Sequence, residues 1–321
     1  MKAVNRDKPD QWKEDIIRSV DMYNKWFIRF APKAYRDVRE QTAEDVKKML
    51  KATGNFRKID VALLKAFPAV LPTLRMTTSP PLAIDRLVGL SGASANLVKV
   101  MEKQGKLPSR MSPRELDANL RKISKTIQKM IDPDIFGWLK NDRKPSRRDL
   151  YRAATIVADR LCGAVANPII RNAQERRQLA TIGKWLKNRG YLKISPGEGA
   201  KYDEMQPGTY SFRLNVSAEQ DQTGKSVNIP MDVVVMPKNV KVRNLPLLIE
   251  AKSAGDFTNV NKRRKEEATK MSQLRRTYGS NVRFILFLCG YFDSGYLGYE
   301  AAEGIDWVWE HRVDDLGKFE V

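Results

Sequence analysis

The chain has 321 residues, 42% of them hydrophobic, which is enough for one large domain or two ordinary ones with a real core. Lys and Arg number 58 against 38 Asp and Glu, and the formal net charge of +20 favours a polyanionic partner, with nucleic acid as the leading class. Only two cysteines and one histidine are present, which excludes a disulfide framework, a four-cysteine zinc site and a zinc protease helix.

The start of the chain and its longest apolar runs indicate where in the cell the protein is located. The stretch "MKAVNRDKPDQWKED" has no apolar core of the kind that a secretory signal needs. No run approaches the roughly 20 apolar residues of a membrane span. We therefore expect a cytoplasmic protein without a membrane partner. Cys162 and Cys289 lie among apolar residues, and we expect both to be buried. For His311 we favour a structural role.

The first half of the chain predicts helices. "DQWKEDIIRSVDMYNKWFIRFAP" spaces its apolar residues at helical intervals, and "TAEDVKKMLKATG" follows with a Thr cap and a terminal Gly. Further on, the sequence predicts a helix over residues 82–89, a turn around 91–94 and a second helix over 95–104. A helix-turn-helix over 82–104 would place Ser94, Asn96 and Lys99 near a DNA major groove. An ordinary helical hairpin that packs the domain is the alternative.

The second half predicts an α/β (α+β) fold with a mixed sheet. A basic connector, "WLKNDRKPSRRDLYR", divides the chain, so we expect a helical DNA-binding region over 1–145 and a second domain over 146–321. After a helical stretch, "TYSFRLNVS" and "NIPMDVVVM" predict a β-hairpin and "LPLLIEAKS" a further strand. A basic helix and two more strands, "VRFILFLCG" and "IDWVWEHRV", complete the order. Core packing is the favoured role for the aromatic residues of "GYFDSGYLGYE" and "DWVWEH".

Three charged residues on two of these strands indicate a site. Side chains alternate along a strand, so Glu250 and Lys252 share one face, and the next connection can bring Asp232 beside them. Two carboxylates repel unless a cation such as Mg²⁺ lies between them, and a nearby ammonium can hold or deprotonate an attacking water. This arrangement would suit phosphodiester hydrolysis. The alternative is that Asp232 is a turn residue and Glu250 and Lys252 form a solvated ion pair.

Two further features surround this group. Glu175, on the preceding helix, could be a third acidic residue at the metal or could pair with a neighbouring Arg. Lys262, Arg263 and Arg264 open a basic run just past the site, where a phosphate backbone must pass. DNA contact is favoured for this run over a merely solvated face.

The charged residues resemble the PD-(D/E)XK nuclease pattern, with Met231 standing between Pro230 and Asp232. A wider resemblance rests on five segments, "SVDMYNKWFIRFAP", "LRMTTSPPLAIDRLVGLSG", "DRLCGAVANPIIRNAQERRQL", "LLIEAKSAGDFTNVNKRRKEEATK" and "LCGYFDSGYLGYEAAEGIDWVWEHR". They span nearly the whole chain, which by them resembles the XamI family of type II restriction endonucleases.

The resemblance implies a PD-(D/E)XK-like nuclease core flanked by helices, which cleaves double-stranded DNA at a short specific sequence with Mg²⁺. It also implies a companion DNA methyltransferase that protects the host. Asp232 and Glu250 would be metal ligands and Lys252 the water-activating residue. A palindromic target would suit a homodimer. Two alternatives remain from the residues alone, namely a non-catalytic helix-turn-helix regulator and a structure-specific repair nuclease.

Overall fold

The computed structural model of the chain describes residues 3–195, 202, 204–220, 225–239, 245–257 and 260–321, with the side chains of 260–263 left out of the description. The chain divides into two compact units, one formed by residues 1–30 and 171–321 and the other by 31–170. Each division falls inside a long helix, α1 (Pro9–Ala52) or α8 (Arg147–Asn188).

The unit of residues 31–170 is helical. Besides its parts of α1 and α8 it contains a short 3₁₀ turn at Pro68–Val70. Its other helices are α2 (Val61–Ala66), α3 (Leu71–Arg75), α4 (Ile84–Ser91), α5 (Ala95–Gln104), α6 (Pro113–Met130) and α7 (Gly137–Lys140). Fully buried apolar residues such as Leu64, Leu97 and Ile123 form one core among them. The two helices predicted around residues 82–104 are confirmed.

The turn between α4 and α5 is fixed by its caps and by α6. Gly92 ends α4 in the left-handed region at φ 60°, a conformation that glycine adopts without a Cβ penalty. Ser94 caps α5, where its hydroxyl accepts a hydrogen bond from the amide of Leu97. The amide of Ser94 in turn donates to Asn119 Oδ1 on α6 at 2.8 Å. This helical hairpin therefore packs against α6 as part of the core.

The other unit is built on a mixed sheet. Within the described ranges, six strands lie side by side in the order of their sequence. The pairs β1–β2, β4–β5 and β5–β6 are parallel, and the pairs β2–β3 and β3–β4 are antiparallel. These strands are β1 (Leu192–Lys193), β2 (Thr209–Glu219), β3 (Ser226–Val235), β4 (Leu247–Ala254), β5 (Arg283–Gly290) and β6 (Asp306–Trp309). The predicted hairpin is the β2–β3 pair, and the predicted α/β fold with a mixed sheet is confirmed.

Both faces of the sheet are covered by apolar layers. One face, with Leu286 and Trp307, packs with Leu274 of α9 (Val260–Tyr278) and with α10 (Ser294–Ala302). The opposite face, with Ile249, packs with Ile182 of α8 and with a 3₁₀ segment at Glu310–Phe319. The alternating strand side chains divide between these layers. Trp307 and Trp309 are fully buried, which confirms their predicted packing role.

Residues 1–30 belong to the sheet unit, although the predicted boundary separated everything up to residue 145 from it. The amide of Val4 donates to Asp306 Oδ2 at 2.6 Å, which joins the N-terminal segment to β6. Trp12 packs edge-on against Trp307 with ring centroids 5.4 Å apart. The predicted boundary was placed at a basic connector in the sequence. Where the N-terminal segment packs depends instead on contacts with residues about 300 positions away, such as Asp306 and Trp307.

The histidine, the cysteines and α8 have structural places. His311 Nε2 lies 3.2 Å from Asp15 Oδ1, and burial lowers the pKa of this imidazole despite the nearby carboxylate. Cys162 and Cys289 are buried free thiols. Helix α8 contains a window of mean hydropathy 1.3, apolar and long enough for a membrane span by composition. Because α8 also supplies buried residues to each unit, among them Val157 and Ile182, we assign it as a core helix.

Candidate active site

Strands β3 and β4 bring Asp232 beside Glu250. Their register pairs Val233 with Ile249, and Asp232 Oδ2 accepts a hydrogen bond of 2.8 Å from the amide of Ala251. Asp232 lies inside β3, so the turn-residue alternative is wrong. The expected proximity of the two acidic residues follows from antiparallel pairing, which places facing residues of the two strands on one side of the sheet.

An alternating series of charges extends from these strands to α9. Lys252 Nζ lies 3.0 Å from Glu250 Oε1 and 3.2 Å from Glu267 Oε1. Lys270 Nζ lies 2.6 Å from the same Glu250 oxygen. The side chain of Glu267 is fully buried, and those of Glu250 and Lys252 are 9% and 15% exposed. The ion pair of Glu250 and Lys252 is therefore a buried one, and the solvated alternative is wrong.

Glu267 and Lys270 are site neighbours that sequence reasoning missed. Both belong to α9, within the basic run that Lys262, Arg263 and Arg264 open. Their spacing of three residues puts them on one face of the helix, which was the available signal. Helical periodicity shows that the two residues share a face of α9, but it does not show which strand that face packs against.

The electrostatics of this group depend on burial. Burial and the charge of Glu250 raise the pKa of Asp232 to about 6. Burial lowers the pKa of Lys252, but Glu250 and Glu267 outweigh burial and leave that pKa raised. The pKa of Glu267 is raised, chiefly by burial. Lys252 is therefore an ammonium at neutral pH, suited to donating hydrogen bonds and stabilising negative charge.

Glu175 lines the same cavity but has a partner of its own. Arg213 on β2 donates to Glu175 Oε1 with Nη2 at 2.6 Å, so an arginine pairs with Glu175 across the fold and not along α8. The charge of Glu175 contributes to the raised pKa of Asp232. The cavity has a volume of about 280 Å³ and is lined by Arg171, Gln174, Glu175, Gln178, Asp232, Glu250, Ala251, Lys252, Ser253 and Glu266.

Gln178 fixes the backbone that carries Lys252. Its side chain is buried on α8, and Nε2 donates to the carbonyls of Lys252 and Phe287, each at 3.1 Å. A single amide thereby joins β4 and β5 below the site. No sequence signal distinguished Gln178 from the other polar residues of α8.

The carboxylates suit a hard divalent cation. Glu250 Oε2 is buried and has no hydrogen-bond partner within the described part of the chain, which leaves an acceptor for a cation. The same part contains no group of three or more His, Cys, Asp or Glu side chains that could hold a metal ion. Two carboxylates alone fit a cation that completes its shell with water and substrate oxygens, as Mg²⁺ does.

The predicted DNA-contacting residues occupy varied settings. Asn96 and Lys99 are exposed on α5, whereas Ser94 is partly buried as the cap of that helix. The guanidinium of Arg264 lies 5.0 Å from the ring centroid of Tyr299. The side chains of Lys262 and Arg263 lie outside the described residues.

Comparison with known proteins defines the class. The chain is 54% identical over 313 residues to the type II restriction enzyme SalI of Streptomyces albus G, with 98% of each chain covered. It is accordingly a type II restriction endonuclease, an enzyme that cuts DNA at a specific sequence. The sequence model of the XamI restriction endonuclease matches residues 54–309, and the chain belongs to that family.

A solved structure is also similar, at a lower level. It is the crystal structure of protein VC1899 from Vibrio cholerae, with a TM-score of 0.28 and 12% identity. The similarity covers 78% of this chain and 54% of that one. A likeness at this level supports no statement about this chain.

Family membership confirms the predicted resemblance, the enzyme class and DNA as the substrate. The non-catalytic regulator and the repair nuclease are therefore wrong. Type II restriction endonucleases generally need a divalent metal ion. Restriction enzymes of this family are typically soluble, in agreement with α8 as a core helix.

Proposed function

We propose that this restriction endonuclease hydrolyses DNA phosphodiester bonds at Asp232, Glu250 and Lys252, in a PD-(D/E)XK arrangement. Asp232 and Glu250 would hold Mg²⁺, and Glu175 could join them through water. The observation that carries the proposal is the juxtaposition of Asp232 with Glu250, whose buried Oε2 has no hydrogen-bond partner among the described residues. The cavity beside them admits a phosphate and water.

The protein would supply position and charge. When bound, a divalent cation neutralises the paired carboxylates and makes a coordinated water more acidic. Asp232 must be ionised to serve as a ligand, which its pKa of about 6 allows at neutral pH. Lys252 would donate hydrogen bonds to the attacking water and stabilise the negative charge that develops on the phosphate. Glu267 is the second carboxylate in contact with the Lys252 ammonium and would help to hold it in place.

Cleavage assays test the metal site directly. The parent protein should cut plasmid DNA into discrete fragments with Mg²⁺ and leave it intact with EDTA. Glu250→Gln and Asp232→Asn should each bind a labelled target duplex in Ca²⁺ but yield no fragments in Mg²⁺. If Glu250→Gln cuts at the parent rate, the metal site is wrongly placed.

We infer that the helical unit contributes phosphate contacts through α5 and α6. The exposed basic residues of these helices are Lys99, Lys103, Arg114, Arg121, Lys122, Lys125 and Lys129. The ion pairs described for the two helices use other cations, since Glu102 pairs with Arg75 and Asp117 with Lys65. Like charges one helical turn apart, such as Arg121 and Lys125, destabilise a helix unless a polyanion relieves them. Asn96 and Lys99 remain our candidates for contact near bases.

We propose a homodimer, because a palindromic target presents its two strands in equivalent positions to two identical subunits. A methyltransferase of the same specificity would protect host DNA, and both enzymes would act in the cytoplasm. Sedimentation with and without a target duplex in Ca²⁺ tests the dimer. A mass of one subunit per duplex would contradict it.

A further inference from the structure

Two ammonium groups meet one carboxylate oxygen in the site. Lys252 Nζ and Lys270 Nζ lie 3.0 Å and 2.6 Å from Glu250 Oε1. Lys252 belongs to the same strand as Glu250, whereas Lys270 reaches it from α9. The proposed mechanism uses Lys252 and leaves the shorter contact, that of Lys270, without a role.

The two lysines differ in the number of carboxylates that they contact. Lys252 is shared with Glu267, which is fully buried and lies 3.2 Å away. Within the described residues, the only ion-pair partner of Lys270 is Glu250. Three carboxyl groups, those of Asp232, Glu250 and Glu267, thus surround two ammonium groups. Lys270 is the cation that offsets Glu250 most directly in the protein as described.

A divalent cation and Lys270 would compete for the charge of one carboxylate. Lys270 contacts Glu250 Oε1, and Oε2 is the oxygen without a hydrogen-bond partner among the described residues, where a cation would be held. Because both oxygens belong to Glu250, such a cation would lie close to the Lys270 ammonium, and repulsion between the two is strong in a partly buried site. Binding of either cation to Glu250 therefore weakens the binding of the other.

We propose that Lys270 is a built-in counter-ion that occupies Glu250 before the metal ion binds and leaves when the metal ion arrives. The proposal rests on the proposed function, since it requires Glu250 to be a metal ligand. The side chain of Lys270 is 22% exposed and carries a flexible four-carbon stem, so its ammonium has a path to solvent. A DNA phosphate entering the cavity is the natural next partner for the released ammonium.

This exchange couples metal binding to DNA binding. Without DNA, the metal ion must displace Lys270 and therefore binds weakly. With DNA, the phosphate attracts Lys270 and Glu250 becomes available, so each ligand strengthens the binding of the other. The enzyme would be fully loaded with metal mainly on its substrate.

Metal binding to the DNA-free protein tests the exchange without measuring activity. Mn²⁺ is titrated into the parent and into Lys270→Met, and free Mn²⁺ is followed by electron paramagnetic resonance. We expect Lys270→Met to bind Mn²⁺ roughly tenfold more tightly, a typical size for such coupling. Lys270→Arg, which restores the cation, should return the affinity toward that of the parent. Unchanged or weaker binding in Lys270→Met would overturn the proposal.

Two controls separate this proposal from the one on which it rests. Lys265→Met removes an exposed charge from the same helix and should leave Mn²⁺ binding at the parent level. If it tightens binding as much as Lys270→Met, the effect is one of general charge and the proposal fails. Glu250→Gln should abolish Mn²⁺ binding. If it does and Lys270→Met gives no tightening, only the exchange is wrong; if Mn²⁺ still binds, the metal site itself is wrong.

Discussion

The amide of Ala251 donates a 2.8 Å hydrogen bond to the carboxylate of Asp232, across the β3–β4 pair. This bond favours the ionised form of Asp232, while burial and the charge of Glu250 disfavour it more strongly. The sheet thus holds one carboxylate at a fixed place beside another, and among the described ion pairs both nearby ammonium groups contact Glu250 and none contacts Asp232. A cation that bridges the two would relieve this repulsion, which is the physical basis of the proposed metal site.

Replacing Lys252 with Ala should abolish cleavage with little loss of DNA binding. The proposed role of Lys252 is to hold water and stabilise charge on the phosphate, and groups of this kind contribute about 10²–10⁴-fold to rate. Single-turnover cleavage in Mg²⁺ and equilibrium binding of a target duplex in Ca²⁺ are the two measurements. Lys13→Ala, an exposed lysine on α1, is the matched control and should cut normally. Cleavage by Lys252→Ala at the parent rate would refute the role of Lys252.

Removing Glu267 should disturb both stability and rate, because Lys252 would lose a fully buried partner. We expect Glu267→Ala to lower the free energy of unfolding by about 2 kcal/mol, since Lys252 would keep only Glu250 and the buried hydroxyl of Tyr296 would lose an acceptor. Glu267→Gln keeps a side chain of the same size that can accept hydrogen bonds, so it should lower the free energy of unfolding and the cleavage rate by less. Urea denaturation and single-turnover cleavage measure the two effects.

The control for Glu267 is Glu44→Ala, whose ion pair with Lys47 is exposed. This change should leave stability and rate nearly unaltered. Equal behaviour of Glu267→Ala and Glu44→Ala would show that Glu267 does not position Lys252.

Glu300, which is buried on α10, should make the free energy of unfolding depend on pH. Burial, together with the charge of Glu267, raises the pKa of Glu300 to about 8, whereas an unfolded glutamate has a pKa of about 4.3. Between these values the folded protein keeps a proton that the unfolded chain has released. The free energy of unfolding therefore falls as pH rises through this window, by at most about 1.4 kcal/mol per pH unit.

Substitution of Glu300 with Gln removes this titration and should flatten the fall. Urea denaturation at several pH values between about 5 and 8 measures it, with parent and variant compared at each value. The variant should gain most over the parent at the alkaline end. A parallel pH dependence in the two proteins would show that Glu300 does not titrate in this range.

The basic face of α6 should set part of the salt dependence of DNA binding. Each phosphate contact contributes about 0.9 to the slope of log affinity against log salt concentration. If Arg121 and Lys125 both contact phosphates, their double replacement by Ala should lower that slope by about 2. Fluorescence anisotropy in Ca²⁺ at several salt concentrations measures it.

A double variant of the same charge change provides the comparison. Lys13 and Lys25 are exposed on α1, and their replacement by Ala removes two charges from another helix. We expect this variant to keep the parent slope more closely than the α6 variant. Equal slopes in the two variants would argue against specific phosphate contacts by α6.

The sequence by itself determined the features that depend on residues close together in the chain. The alternation of β4 placed Glu250 and Lys252 on one side, and the turn around 91–94 separated α4 from α5, because neighbouring residues fix both patterns. The basic excess and the extended resemblance indicated the enzyme class and its substrate. These inferences required no knowledge of how the elements pack.

Only the tertiary structure decided which distant residues meet. The β3–β4 register placed Asp232 beside Ala251, and the orientation of α9 directed Glu267 and Lys270 to the site. Arg213 reached Glu175 across the fold. Periodicity defines the face of each strand or helix, but the partner of that face depends on the packing of elements far apart in sequence. For this reason the sequence could propose the two acidic residues and the lysine of the site, but not the second lysine that neutralises one of those carboxylates.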